Sequence, residues 1–416
     1  NDTITGGQGA DSVFGEEGAD TINWSSGDGV GEIEGGSGSD LFVYNLTAGV
    51  DAVSVDARSD LRLTFDDTVS AVTIGSTESI SINVGAGADT VSLGDLSGTG
   101  VARIDVDLGA GSVDSVTVAG TAAGDDLEIN SVGSTSTLKG LASDVIIANL
   151  EAADALSATL GGGSDRVSVT GVADPIGLDV ATGLVTGVSA ASVTVSGVES
   201  FAVAGGASSR LVVSGADDYL VDWDAGLDSG QIDTADVRVV FSGYDATEEL
   251  ELNGTGTLTV AGTDGDDAVA VTTAGNVEVA GRVVIDPDGL TALVATGSDG
   301  DDTFTVNAGS GFTTLLFEGG SSSDVLEVRG TAAAESIGAL VSSGSITGLG
   351  GVVTFNGIET LDLDGQGGGD TLTVSELGET SELTSLVAAS DGILASVLSI
   401  EKSKLNGLSS TQNALS

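Results

Sequence analysis

The chain lacks several residue types that would fix its chemistry. Among its 416 residues there is no cysteine, no methionine and no histidine, and proline occurs only twice. Without cysteine there is no disulfide and no thiolate metal ligand. Without histidine, the usual Ser-His-Asp and Cys-His catalytic sites and the histidine zinc sites are excluded. The scarcity of proline argues against a proline-rich linker or a collagen-like chain.

Aromatic and basic residues are scarce as well. Aromatic residues make up 3% of the chain, so we expect a core of valine, leucine, isoleucine and alanine. The 63 acidic residues outnumber the 11 basic ones, which gives a net charge of −52. This charge opposes compaction unless cations neutralise it, and it disfavours nucleic acid and anionic membranes as partners. A salt-adapted surface is an alternative explanation, but solubility alone does not require acids at fixed places after glycines.

Glycine and aspartate occur together in a tandem near the N terminus. Residues 6–14 fit the pattern G-G-x-G-x-D-x-hydrophobic-x, and residues 15–23 follow without a gap, departing only at Glu16. The glycines permit a tight turn, the aspartate adds a carboxylate, and the alternating tail predicts a short strand. Oxygen ligands from carboxylates and backbone carbonyls suit a hard cation, and Ca²⁺ above all.

Residues 1–43 resemble the RTX family, the hemolysin-type calcium-binding repeats of secreted bacterial proteins. The resemblance implies a parallel β-roll with two nonapeptides per coil and Ca²⁺ between successive turns. Asp2 and Asp20 should then stack on one edge and Asp11 on the other, whereas an expected bulge at residues 24–30 leaves the pairing of Asp20 with Asp40 open. The implied metal ligands are Asp2, Gly7, Gln8, Ala10, Asp11, Glu16, Glu17, Ala19, Asp20, Ser37, Ser39 and Asp40.

Isolated turns of the same kind continue beyond residue 43. The region 44–380 resembles the degenerate glycine–aspartate repeats of giant bacterial surface and matrix proteins. Because aspartate and glycine are ordinary turn residues, metal binding and plain turns both stay open there. We predict Asp89, Asp165 and Asp302 as metal ligands, and looser forms of the turn surround Asp114, Asp267, Asp324 and Asp370.

A longer period accompanies these turns. Similar starts recur at Gly120, Gly171, Gly215, Gly262 and Gly330, whose numbers differ by 51, 44, 47 and 68. Each unit also carries a short acidic marker, such as Gly197-Val198-Glu199 or Gly357-Ile358-Glu359. Hydrophobic residues alternate with a period of two between the glycine turns, which predicts short strands. The self-similar units favour a β-solenoid, with serial β-sandwich domains as the alternative.

The predicted organisation is an all-β chain in four parts. These are an RTX β-roll at 1–43, a β-repeat region at 44–119, a β-solenoid at 120–380, and a C-terminal cap or partner-binding helix at 381–416. The helix prediction rests on the helical spacing of apolar residues that include Ile393, Val397 and Ile400. Because the chain opens inside a repeat, we expect it to lie within a longer polypeptide or to follow a processing cut, with the export signal outside this sequence.

The function predicted from these features is that of a secreted bacterial structural protein that is not an enzyme. It would assemble with itself, in a calcium-dependent way, into a surface layer, sheath or extracellular filament, and a cell-surface polysaccharide is a second candidate partner. One alternative is an adhesin or glycan-binding stalk. Another is a carbohydrate-active β-helix enzyme, for which residues 217–224 join acids to aromatics, although a solvated turn with two aromatics packed on a coil is the favoured interpretation of that patch.

Overall fold

The computed structural model describes residues 1–60, 62–67, 71–170, 173–205, 210–368, 370–375 and 385–389. The chain forms two compact units, Asn1–Ser208 (unit 1) and Ser209–Ser416 (unit 2). Both are β-solenoids, in which strands of successive coils pair in parallel. The predicted solenoid is therefore confirmed, and the alternative of serial sandwiches is wrong. Of the segment 381–416, in which a helix was predicted, the structure describes only Ser385–Ala389, and these residues form a strand. The apolar residues on which the helix prediction rests lie outside the described residues.

The described residues of unit 1 form 21 short strands. They are β1 (Thr3–Thr5), β2 (Asp11–Phe14), β3 (Thr21–Ser25), β4 (Gly31–Glu34), β5 (Leu41–Asn45), β6 (Ala52–Ala57), β7 (Leu63–Asp66), β8 (Ala71–Gly75), β9 (Ser79–Asn83), β10 (Thr90–Leu93), β11 (Arg103–Asp107), β12 (Ser115–Ala119), β13 (Asp126–Val132), β14 (Thr135–Lys139), β15 (Asp144–Ala148), β16 (Ala155–Thr159), β17 (Arg166–Thr170), β18 (Ile176–Asp179), β19 (Leu184–Thr186), β20 (Val193–Ser196) and β21 (Ser200–Ala204).

The strands of unit 1 form two stacked faces. On one face β1, β3, β5, β9, β11 and β15 pair in parallel, followed by β13, β17 and β21. On the other face β2, β4 and β8 pair in parallel, as do β6, β10, β12, β16 and β20. Three antiparallel triplets, β6–β7–β8, β13–β14–β15 and β18–β19–β20, join these runs. In each triplet the chain folds back twice within one coil.

Unit 2 follows the same plan, and the part of it that the structure describes has 19 strands and one 3-10 turn at Val341–Ser343. The strands are β22 (Arg210–Ser214), β23 (Tyr219–Trp223), β24 (Ser229–Asp233), β25 (Arg238–Ser242), β26 (Glu249–Asn253), β27 (Thr257–Ala261), β28 (Ala268–Val271), β29 (Val277–Val279), β30 (Val284–Asp286), β31 (Ala292–Thr296), β32 (Thr303–Asn307), β33 (Thr314–Glu318), β34 (Val325–Arg329), β35 (Ser336–Leu340), β36 (Ser345–Thr347), β37 (Val352–Asn356), β38 (Thr360–Asp364), β39 (Thr371–Ser375) and β40 (Ser385–Ala389).

The faces of unit 2 also alternate parallel stacking with antiparallel triplets. One face stacks β23, β27, β31, β33 and β37, and the other stacks β22, β26 and β30, then β28, β32, β34, β38 and β40. The triplets are β23–β24–β25, β28–β29–β30 and β35–β36–β37. A coil with a triplet is longer than one without.

The core consists of columns of apolar side chains. Ile22, Phe42, Ile80 and Ile104 lie in register on successive strands of unit 1, and each is fully buried. Their neighbours along each strand point outward, because side chains alternate between the two faces of a strand. Burying an aliphatic side chain of this size contributes roughly 1.5–3 kcal/mol. The expected aliphatic core is therefore confirmed, with Trp24 and Tyr44 as buried aromatic additions near the N terminus.

The insert at residues 24–30 contains the end of β3 and a tight turn that follows it. The N–H of Asp28 donates to the carbonyl of Ser25 at 2.9 Å, and the Asp28 side chain accepts the N–H of Ser25 at 2.8 Å. Gly27 and Gly29 adopt left-handed conformations that complete the turn. The extra residues are thus absorbed locally, and β3 and β5 stay paired over their full length.

Candidate metal centre

The aspartate that ends each N-terminal turn is buried and bonded to a neighbouring coil. Asp20 and Asp40 are each 1% exposed. The Oδ1 atom of Asp20 accepts the backbone N–H of Asp2 at 2.5 Å, and that of Asp40 accepts the N–H of Asp20 at 2.9 Å. The expected stacking of Asp2 on Asp20 is confirmed, and Asp20 also pairs with Asp40. Asp11 begins β2 on the other face, as predicted.

The second oxygen of these carboxylates is buried without a hydrogen-bond partner. This is true of Oδ2 in Asp20 and in Asp40. A Cβ added to Gly15 would lie 2.8 Å from Asp20 Oδ2 and would also meet the carbonyl oxygen of Gly35. A Cβ added to Gly35 would lie 2.9 Å from Asp40 Oδ2 and would meet a carbonyl of the next coil. Each glycine therefore lets a carboxylate oxygen of its own turn and a carbonyl oxygen of the next coil approach closely, and we call the narrow space beside it, which a side chain could not enter, a gap.

This arrangement fits a bound calcium ion. An ionised carboxylate oxygen buried without a partner is unfavourable, because nothing replaces its lost hydration. A hard cation would replace it, and Ca²⁺ binds carboxylate and carbonyl oxygens at 2.3–2.6 Å. Asp11 Oδ2 is likewise buried and unpartnered on the opposite face. Asp11, Asp20 and Asp40 of the predicted ligand set thus have a physical reason to hold an ion.

The other predicted ligands lie around these turns. The carbonyl of Glu16 accepts the N–H of Ser37 at 2.7 Å, and the carbonyl of Ser37 accepts the N–H of Gly18 at 2.9 Å, so both contribute to stacking. The N–H of Ala19 donates to the Asn1 side chain at 2.6 Å. The remaining members lie at the turn surfaces, and their metal role stays a prediction: Gly7, Gln8, Ala10, Glu17 and Ser39.

The same carboxylate-to-backbone bond recurs through both units, and we call each series an acid ladder. In every rung a carboxylate accepts the backbone N–H of the acid one coil earlier, at 2.5–2.9 Å. The ladders are Asp2–Asp20–Asp40–Glu78, Asp51–Asp89–Asp114–Asp154, Asp125–Asp165–Glu199, Asp267–Asp302–Asp324–Glu359 and Glu335–Asp370. Rungs are 18–25 residues apart across short coils and 34–40 across coils with a triplet.

Two acidic markers of the sequence, Glu199 and Glu359, are ladder ends, and Glu78 ends a third ladder. Glu78, Glu199 and Glu359 each accept the N–H of the preceding aspartate at 2.7–2.8 Å. Two residues before each glutamate the backbone is left-handed, so the turn is compact. The longer glutamate side chain reaches the same donor from this shorter turn. The sequence showed the marker, but its role depends on pairing between coils and could not be read from one segment.

Burial also changes the acid strength of the ladder carboxyls. Desolvation, together with a smaller contribution from the nearby carboxylates of Asp324 and Asp267, raises the pKa of Asp302 to about 6. Burial likewise raises the pKa values of Asp89, Asp114 and Asp324 above the ordinary range. Each of these groups therefore favours either a proton or a neighbouring cation.

A cluster of three acids on the outer face of unit 2 was not predicted from the sequence. Carboxylate oxygens of Glu249, Glu251 and Asp286 lie within 4.8 Å of one another. Glu251 and Asp286 are in register on neighbouring strands. Arg210 contacts Glu251 and lies 3.7 Å from Glu249, so it neutralises part of this charge. The alternation Glu249-Leu250-Glu251 signalled two acids on one face, but only the strand register adds the third.

The patch at residues 217–224 is engaged in structure. Asp218 accepts the N–H of Thr257 at 2.7 Å, and Asp217 accepts the hydroxyl of Thr255 at 3.0 Å. The guanidinium carbon of Arg282 lies 5.1 Å from the ring centre of Trp223, and its NH1 donates to the backbone carbonyl of Gly226 at 2.7 Å. These contacts agree with the simpler interpretation of a turn beside packed aromatics.

Residues 1–31 match the family model of the RTX calcium-binding nonapeptide repeat, in four copies. The N-terminal segment is an RTX repeat segment. RTX repeats bind calcium, so Ca²⁺ is the cofactor that this segment calls for, and proteins that carry them are typically secreted. No curated protein matched the chain. Within the described residues, no helix combines the length and the apolar character needed to cross a membrane.

Proposed function

We propose that this chain is a secreted bacterial structural protein whose stacked coils are held together by Ca²⁺. The observation that carries the proposal is the series of buried carboxylates with one unpartnered oxygen each. These are Asp11, Asp20, Asp40, Asp89, Asp302, Asp324 and Asp370. They end turns in both units, well beyond the RTX segment, so calcium would stabilise the solenoid rather than one isolated site.

Calcium would couple to folding at the turns. The gap beside Gly15 is lined by Asp20 of its own turn and by a carbonyl of the following coil. These oxygens converge only when the coils are stacked, so the unfolded chain has no equivalent site. Binding free energy therefore appears as folding free energy. Without the ion, the same buried charges oppose stacking.

Calcium would act a second time between molecules. With a net charge of −52, two copies repel one another unless cations intervene. Acids at the N-terminal turns, such as Glu16, Glu17 and Asp28, project from the coils in exposed or partly exposed positions. Divalent ions that bridge such acids would allow copies to associate. We therefore propose self-assembly into a surface layer, sheath or extracellular filament.

The distribution of aromatic side chains supports a structural role over glycan binding or glycan cleavage. Trp24, Tyr44, Tyr219 and Tyr244 are fully buried. Among the described residues, Phe14 is the single aromatic in the set of strongly exposed large hydrophobics. Sugar sites usually present aromatic platforms to solvent, and these aromatics instead pack inside the coils. We accordingly propose that the chain is not an enzyme.

Calcium titration of the purified full chain tests the proposal. We expect millimolar Ca²⁺ to raise the midpoint of thermal unfolding and to produce ordered assemblies in electron micrographs, while a chelator reverses both. Mg²⁺ at equal ionic strength is the control, because it demands tighter octahedral geometry and screens charge equally well. Equal unfolding midpoints in chelator and in Ca²⁺ would contradict the calcium role, and stabilisation without assembly would contradict the structural-polymer role.

A further inference from the structure

Two kinds of acidic turn differ in the residue four positions before the acid. In the first kind this residue is threonine, and its backbone N–H bonds to the carboxylate. The pairs are Thr47–Asp51, Thr121–Asp125, Thr263–Asp267 and Thr331–Glu335. Each of these acids begins its ladder. Because the threonine N–H donates to it, the carboxylate has a hydrogen-bond partner inside its own turn.

Thr263 illustrates how such a turn is closed. Its N–H donates to Asp267 Oδ2 at 2.6 Å, and its hydroxyl lies 3.0 Å from the same oxygen. The hydroxyl oxygen also accepts the N–H of Gly265 at 3.2 Å. Oδ2, the oxygen that faces the gap in other turns, is thus engaged by local donors. An added cation would have to displace these bonds.

The next two turns of the same ladder are open. Asp302 is 1% exposed and Asp324 is fully buried. Their Oδ1 atoms accept ladder N–H groups at 2.8 Å, whereas their Oδ2 atoms are buried and have no hydrogen-bond partner. Ser298 and Gly320, four residues before these acids, have left-handed backbones with φ values of 79° and 104°. The carbonyl of Ser298 accepts the N–H of Ser321 at 2.9 Å, which ties one turn to the other.

The gap between these open turns matches the one in the RTX segment. A Cβ on Gly297 would meet Asp302 Oδ2 and the carbonyl oxygen of Gly319. A Cβ on Gly319 would meet Asp324 Oδ2 and the carbonyl oxygen of Gly357. Both gaps therefore have one carboxylate oxygen from the same turn and one carbonyl oxygen from the next coil. The gap at Gly262 in the closed turn has the same lining, so the unpartnered Oδ2 atoms distinguish the open turns.

A parallel bridge also occurs at the equivalent place in each pair of turns. It joins Asp299 to Ser321 in unit 2 and Glu17 to Ser37 in the RTX segment. The bridge fixes the distance between the two stacked turns of each pair. The oxygens that line the gaps are therefore positioned alike in the RTX segment and in unit 2.

We propose that turns 297–302 and 319–324 form a second calcium-binding station in unit 2, and that a threonine four residues before the acid marks turns that need no ion. This inference rests on the calcium part of the proposed function but is independent of assembly. The ligand class is a divalent cation bound by carboxylate and carbonyl oxygens. The station lies outside the residues that match the RTX repeat.

Substitution of the two open aspartates tests the station. The variant Asp302→Asn/Asp324→Asn keeps an amide oxygen for each ladder bond but removes both buried charges. Asp267→Asn is the matched control, because it changes a closed turn of the same ladder. In calorimetric titration of the full chain with CaCl₂, we expect the double variant to bind fewer ions than wild type. We expect the control to bind as many ions as wild type.

Hydrogen–deuterium exchange locates the effect and separates it from the proposed function. In wild type, we expect Ca²⁺ to slow exchange in residues 292–329 as well as in residues 1–45. In the double variant only the slowing at 1–45 should persist. Unchanged stoichiometry in the double variant, equal loss in the control, or calcium-independent exchange at 292–329 in wild type would each overturn the station. Calcium-independent exchange in both segments would overturn the proposed function as well.

Discussion

The stacked turns 15–20 and 35–40 differ in sequence from the stacked turns 297–302 and 319–324, yet their geometry is the same. The first pair lies in or next to the RTX match, whereas the second has Ser298 and Ser322 at left-handed positions. Glu16 is also left-handed and also not glycine. The comparison shows which positions the turn constrains. It needs a first residue without a side chain, a left-handed second residue and a buried sixth acid, rather than a fixed number of glycines.

The largest expected effect is the loss of calcium-linked stabilisation when aspartates of open turns, but not of closed turns, are replaced. Asp20→Asn/Asp40→Asn should lose calcium-linked stabilisation of the RTX segment, about 2.7 kcal/mol for each site held at 100-fold its dissociation constant. Asp51→Asn, in a turn closed by Thr47, should keep it. Urea unfolding with and without Ca²⁺ measures the difference. Equal calcium responses in the two variants would remove the distinction between open and closed turns.

A methyl group at Gly319 should disrupt the close packing of the coils at the unit 2 station. Gly319→Ala places a Cβ against the carbonyl of Gly357 and Asp324 Oδ2, and should destabilise the chain by about 1–3 kcal/mol, as overpacking does. Gly265→Ala is the control, because its Cβ would meet nothing closer than 3.8 Å. Neither glycine is left-handed, so backbone strain does not enter the comparison. Equal unfolding midpoints for the two variants would contradict the tight approach of the coils.

Acids on strand faces should make the free energy of unfolding depend on pH, independently of the acids in the turns. Asp362 pairs laterally with Glu327, and desolvation followed by repulsion from Glu327 and Asp364 raises its pKa. A raised pKa favours the protonated form in the fold, so this stabilisation is present at low pH and is lost as pH rises through the folded-state pKa.

The variant Asp362→Asn removes this carboxyl group, so its free energy of unfolding should depend less on pH than that of wild type. Urea unfolding in chelator between about pH 4 and 7 should show wild type losing stability relative to the variant as pH rises. The exposed acid Asp60 provides the control variant Asp60→Asn. A wild-type curve parallel to that of Asp362→Asn would contradict the effect.

The smallest effect concerns the threonine that closes a turn. Thr263→Val removes a hydroxyl that bonds to Asp267 and Gly265, and should cost about 0.5–1.5 kcal/mol. Thr263→Ser keeps the hydroxyl and should cost less. Chemical denaturation at saturating calcium checks the order. A valine variant as stable as the serine variant would show that the hydroxyl contributes little to closure.

Much of the fold followed from local patterns. The alternation of Ser79-Ile80-Ser81-Ile82 predicted a half-buried strand, and β9 has that pattern. The nonapeptide spacing predicted the stacking of Asp2 on Asp20. The antiparallel triplets were not predicted, because a strand that folds back has the same alternation as one that continues the coil. Which partner it pairs with is a tertiary property.

The candidate site was less accessible to sequence reasoning. Asp302 and Asp324 both end open turns, although the sequence singled out Asp302 and gave Asp324 only as a looser form. Asp267 looked similar to Asp324, yet Thr263 satisfies its carboxylate. The deciding signal was the residue four positions earlier. Its meaning appears only when hydrogen bonds within a turn are compared with those between coils.

The acid ladder has a direction, and this makes the two ways of shortening the protein unequal. Each rung donates a backbone N–H to an acid that comes later in the chain, as Asp302 does to Asp324. Removing the later acid of a rung leaves the N–H of the earlier acid without its acceptor. Removing the earlier acid leaves only a free carboxylate oxygen, which water solvates well. Nested deletions from the N-terminal side should therefore leave soluble, folded remainders more often than deletions from the C-terminal side.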